Sequence, residues 1–248
     1  ATRFVPPLSR EPMQRVQSSR QGTHQQTRLL HAVEQDDAMG VSRICREEPG
    51  SLEARNAFNL TPLMVAACKG RTHIAQILIA ARADVEARDS NGWTALQIAA
   101  ERGHEDLVQM LSATGAVIDT KDALTALALA AGRGHEDIVR NLVRAKAHVN
   151  TTDTSGRTPL MHAAENGKVG VVRELIASNA NLESKNLKGR TALHLAVMRD
   201  QGAIVELLTD ARADLDARDN HGMTPLMLAA AENRKEVATM LIAKRADI

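Results

Sequence analysis

The chain has 248 residues, 44% hydrophobic and 25% charged, with a formal net charge of +1, an ordinary balance for a folded chain in water. That balance argues against a generally polybasic protein, and no run of about 18 apolar residues exists to span a bilayer. With no Tyr, one Trp and two Phe, the core must be built from Leu, Ile, Val, Met and Ala, side chains that suit closely stacked helices.

In chain order, residues 1–26 come first as an Arg/Pro-containing extended tail. Arg3, Arg10, Arg15 and Arg20 stand against Glu11 alone, which leaves +3 on the tail and −2 on the remainder. So few apolar residues predict disorder in isolation, and the scarcity of acids also fits the end of a targeting peptide. Two cysteines, Cys45 and Cys68, have no CxxC spacing and suit a reducing compartment. The expected location is therefore intracellular and cytoplasmic, with organelle import open if a targeting segment precedes the tail.

From residue 27 a phrase recurs. TRLLHAV from Thr27 is a degenerate first copy, followed by TPLMVAA from Thr61, TALQIAA from Thr94 and TALALAA from Thr125. TPLMHAA from Thr158, TALHLAV from Thr191 and TPLMLAA from Thr224 continue it. The near-constant spacing marks about seven structural repeats over 27–248. Each threonine is placed to cap a helix by accepting a backbone N–H. Pro62, Pro159 and Pro225 then fall at the first helical position, where a missing N–H costs nothing. Gly70, Gly103, Gly134 and Gly167 end that helix. A second helix follows, with a buried face such as Ile138, Leu142 and Val143. A polar finger such as ADLDARDNHG closes the unit at a turn glycine.

TPLM/TALH, the GH pairs at 103–104 and 134–135, and ADVEARD/ADLDARD closely resemble the ankyrin repeat. The resemblance implies a mainly α fold, a solenoid of paired antiparallel helices with short β-hairpin or loop fingers. It also implies protein–protein recognition as the usual role. The sequence departs from the pattern before the finger Ala: Gly115 keeps the usual glycine, whereas Arg82, Lys146, Asn179, Arg212 and Arg245 replace it. A left-handed backbone at those residues would cost roughly 1 kcal/mol each. The fourth repeat is two residues short at Asp122-Ala-Leu-Thr125, which predicts a stunted finger and a notch. Ile248 falls in a finger with no capping repeat after it, which predicts exposed apolar surface there.

No catalytic constellation emerges, so an enzyme is not expected. His104, His135 and His194 recur with the repeat and are read as structural. The glycines are too dispersed to cradle phosphate, and no HExxH or Cys/His array is present. No metal, cofactor or small-molecule substrate is implied.

Carried over from the family, the partner-facing positions are the finger tips and the exposed side of the first helix. Phe58 and Trp93, the two aromatics of the repeat array, both fall there, beside Leu60. Such rings form binding hot spots. Leu187, Met198 and Met223 form a second apolar group. The same columns hold Lys69, Arg102, Arg133, Arg157, Lys188, Arg190 and Arg199 against Glu101, Glu165 and Glu232, a sorting that favours an acidic partner segment. A further series, Arg55, Arg88, Lys121, Lys185 and Arg218, is read as background of the fingers.

The expected function is a non-enzymatic scaffold or adaptor that binds a partner protein through a groove. Phe58, Leu60 and Trp93 would anchor it, with Lys69, Arg102, Arg133, Arg157, Arg190 and Arg199 steering it and Met223 contributing at the far end. The alternatives are an accessory subunit docked through the tail and solenoid ends, or a regulatory module of a longer protein. Nucleic acid is disfavoured by the near-neutral charge and the shortage of stacking aromatics.

Overall fold

The computed structural model describes residues 28–119 and 124–244. The tail at 1–26, Thr27, the shortened finger around Asp122, Lys121, Arg245 and the terminal finger at Ile248 lie outside the described residues.

Fourteen α-helices occur among the described residues. The first helices of the seven units are α1 (Arg28–Glu34), α3 (Pro62–Lys69), α5 (Ala95–Arg102), α7 (Ala126–Arg133), α9 (Pro159–Glu165), α11 (Ala192–Met198) and α13 (Pro225–Ala231). Their partners are α2 (Ala38–Glu47), α4 (Thr72–Ala80), α6 (Glu105–Ala113), α8 (Glu136–Arg144), α10 (Val169–Ala177), α12 (Gly202–Asp210) and α14 (Lys235–Ala243). Each first helix packs on its own partner and on the next first helix, and the second helices stack on one another in the same way. The product is two parallel rows of helices built from nearest-neighbour contacts.

Local chemistry starts each unit. The hydroxyls of Thr61, Thr94, Thr125, Thr158 and Thr224 accept the backbone N–H three residues on, at 3.2–3.4 Å. Burial then follows the small-residue phrase: Ala66, Ala99, Ala130, Ala163, Ala196 and Ala229 are all fully buried between neighbouring helices. Arg82, Lys146, Asn179 and Arg212 do adopt left-handed backbone, with φ of 75°, 67°, 61° and 67°.

The fingers take the loop form, with no strand among the described residues. In five of them one polar side chain organises the turn. The Oδ1 atoms of Asn56, Asp89, Asp153, Asn186 and Asp219 each accept the N–H groups two and four residues ahead, at 2.8–3.1 Å. The same residue's backbone N–H returns to the carbonyl four residues ahead. Basic residues brace this turn: Arg55 donates to the carbonyls of Asn59 and Arg88, and Lys185 donates to the carbonyl of Arg218. Their role in the fingers is thus structural.

A second series of bonds fixes the stacking register. Glu53, Glu86, Asp119, Asn150 and Glu183 each accept a backbone N–H from the following repeat, at Asp84, Val117, His148, Asn181 and Asp214 respectively, at 2.7–3.0 Å. His104 and His135 add to it. Their Nε2 atoms lie 3.3 and 3.2 Å from the carbonyls of Cys68 and Glu101, one repeat back. An N–H there donates to the last turn of the preceding first helix.

Candidate functional site

The finger turn decides which side chains reach the surface together. Leu60, Trp93, Arg157, Arg190 and Met223 all occupy the position whose N–H is bound by the finger Asn or Asp. They form one column across successive repeats, each just before its threonine cap. Phe58 sits two residues earlier at the finger tip and is 49% exposed, while Leu60, Trp93 and Met223 are half-buried against the core.

Between repeats two and three this column borders a groove of about 490 Å³. Phe58, Leu60, Trp93, Val65, Ile98 and Cys68 give it an apolar lining, and Lys69, Arg102, Asn91 and Glu34 are among its polar lining residues. Five of the ten residues singled out from the sequence (Phe58, Leu60, Lys69, Trp93 and Arg102) therefore share one cavity. The volume falls within the range of about 300–1,000 Å³ usual for ligand pockets. Cys68 packs against the core as part of the wall, and its burial pushes the thiol above its usual value, with nearby Arg102 only partly offsetting it.

The cations are more engaged than their placement on the sequence suggests. Glu101, only 6% exposed, is bound by Arg102 of its own repeat at 3.3 Å and by Arg133 of the next. Glu165 is bound in the same way by Arg157 at 2.6 Å and Arg199 at 2.9 Å. Arg190 reaches forward to Asp219 at 3.2 Å. Burial alone would raise the Asp219 carboxyl, but the N–H groups of His221 and Met223 together with Arg190 hold it below its usual value. Asp153 is likewise pushed up by burial and brought net down by His162, 3.0 Å away, and by the N–H groups of Arg157 and Ser155.

These pairings refine the sequence reading. Arg133, Arg190 and Arg199 brace neighbouring repeats, whereas Arg102 and Arg157 pair within their own repeat, and the Arg190 side chain is mostly covered. Lys69 and Lys188 are exposed. The inner carboxylates, buried at Glu101 and partly buried at Glu165, were missed as anchors, although their signal is visible: the two occupy the same repeat position, and each has an Arg about one repeat later.

Met223 and Arg190 do not join the groove of repeats two and three; they belong to the sixth and seventh fingers. The Asn220 N–H bonds the carbonyl of Lys188 across that pair, and the Leu187 N–H bonds that of Ser155 in the preceding finger. Leu187 is left 72% exposed.

Comparison with known proteins decides the family. A family model described as "Ankyrin repeats (3 copies)" matches residues 29–122, 116–186 and 171–248. The chain belongs to the ankyrin-repeat family. Among solved structures, it is similar to the ankyrin repeat domain of Bcl-3, described as a unique member of the IkappaB protein family. Identity is 30% over 87% of this chain and 98% of that one, with a TM-score of 0.77. A search of curated proteins found no match. Ankyrin repeats are protein-interaction modules, typically non-enzymatic, and this chain is built from them throughout its described length. Among the described residues no helix is long and apolar enough to cross a membrane.

Proposed function

We propose that this ankyrin-repeat chain works as a scaffold or adaptor that holds a partner protein in the groove between its second and third repeats. The observation that carries the reading is the convergence of Phe58 and Trp93 on one apolar cavity with Leu60 and Cys68. Burying an exposed ring of this kind contributes about 1.5–3 kcal/mol in transfer terms, enough to dominate a small interface. An acidic stretch in the partner is supported by the outward cations. In the two carboxylate clamps the acid is the inner group and the guanidiniums the outer ones, so an approaching chain meets positive charge first.

Co-purification from the native source tests this with the intact chain and with Phe58→Ala and Lys69→Glu variants. Both positions are exposed, so the fold should be retained. A partner lost from the variants supports the groove. A partner retained by both, with unchanged stoichiometry, moves the site elsewhere on the molecule.

A further inference from the structure

The groove's chemistry changes along the stack. The column before each threonine cap reads Leu60, Trp93, Leu124, Arg157, Arg190, Met223, apolar in repeats two to four and cationic in five and six. Between the halves, the first helix of repeat four presents Gly132 where its neighbours present Glu101 and Glu165. A Cβ there would meet nothing nearer than 3.6 Å. Repeat four thus interrupts the row of inner carboxylates between the aromatic end and the cationic end of the column.

At the charged end the acids lie inside and the bases outside. Side-chain exposure is 0% for Asp219, 12% for Asp153 and 15% for Glu165, against 35% for Arg157 and 60% for Arg199; Arg190, at 17%, lies inside with the acid it pairs. Two guanidiniums share the single Glu165 carboxylate, as Arg102 and Arg133 share Glu101, so each clamp is net positive, and what sets this end apart is the cation in the column before the threonine cap. Lys188 adds an exposed ammonium at the adjoining finger tip.

We infer that the groove reads its partner in one direction: a linear segment places a bulky apolar side chain between Phe58 and Trp93, and carboxylates further along it lie over Arg157, Lys188 and Arg199. This rests on the groove reading and adds its polarity and spacing. Neighbouring helices pack about 8–10 Å apart, so two to three repeat steps span roughly 16–30 Å. An extended chain at about 3.3 Å per residue covers that in roughly five to nine residues. The partner motif is thus an apolar anchor and an acidic cluster separated by that interval, in a fixed order.

Selection from a random peptide-display library, with peptides about 16 residues long so that about 50 Å can be spanned, reads the motif directly on the full chain. The expected winners carry the anchor and the acidic cluster at that spacing, with the acids always on the same side. Phe58→Ala should weaken a winning peptide about 10-fold or more. Lys188→Glu should weaken it and flatten its loss with salt, because one attractive contact that salt screens is gone, and both variants should keep the wild-type thermal midpoint. Winners that need Phe58 but carry no acids, or carry them on either side equally, overturn the directional inference and leave the groove reading standing. Winners indifferent to Phe58 and Lys188 overturn both.

Discussion

The carboxylate of Glu101, buried at the end of α5, is gripped by the guanidinium of Arg133 from the following repeat. The pair ties the wall of the apolar groove to repeat four, and Arg102 completes the clamp from the other side at 3.3 Å. A buried carboxylate deprived of one guanidinium loses far more than an exposed ion pair would, because its desolvation is no longer offset. Arg133 is itself 42% exposed, so its share is screened.

Arg133→Ala should therefore destabilise the protein by about 1–3 kcal/mol. Adding Glu101→Gln should recover part of that, since a neutral amide is cheaper to bury than an unpaired charge. Denaturant melts of the two single variants and the double variant supply the coupling. Additive losses would show that the two side chains do not act as a pair.

His194 predicts a pH dependence. Its Nδ1 accepts the Thr191 N–H at 3.2 Å, and its Nε2 meets the carbonyl of Met223 in the next repeat at 3.2 Å. That arrangement requires a neutral ring with the proton on Nε2. Burial pushes its pKa below the usual 6.5, and the bond to Met223 offsets this only in part. The folded value being the lower one, the stabilising contribution is complete above about 6.5 and declines as pH falls from there toward the folded value. Gln97 holds the equivalent place in repeat three, accepting the Thr94 N–H and donating to the carbonyl of Leu124. His194→Gln should keep both bonds while flattening the stability profile below about pH 6.5. Thermal melts across that window check it, and an unchanged slope would assign the dependence to another histidine.

Backbone strain and packing can be separated at two glycines. Gly115 has φ of +85° and nothing within 4 Å of a prospective Cβ. Gly115→Ala should cost about 1 kcal/mol, the left-handed penalty alone. Gly189 has φ of +71° and a prospective Cβ 2.7 Å from the Asn220 backbone nitrogen. Gly189→Ala should cost about 2–4 kcal/mol, because overpacking adds to the strain. Equal losses in urea melts would mean that the contact between these two fingers contributes nothing.

Much of this architecture was legible in the sequence because it is written locally. Thr caps, Pro at the first helical position and Gly or Asn at left-handed turns act over a few residues and repeat every unit. Even the left-handed Arg82 and Lys146 were readable by alignment with Gly115. The grouping of Phe58, Leu60 and Trp93 followed from the same register. Other parts were not legible. A charge count cannot distinguish an arginine that faces solvent from one that also holds Glu165, since the difference lies in which carboxylate is buried beneath it. The second acceptor role of Asp219, toward Arg190 of the preceding repeat, likewise depends on stacking distance and not on sequence spacing.

The central claim is that the partner sits between the second and third fingers, and site-directed photocrosslinking in the native source tests it most directly. A photoreactive residue placed at Phe58 should capture the partner, whereas one at Gln109, exposed on the second helix of repeat three, should not. Capture from position 109 with none from position 58 would place the interaction on the opposite row of helices and contradict the account.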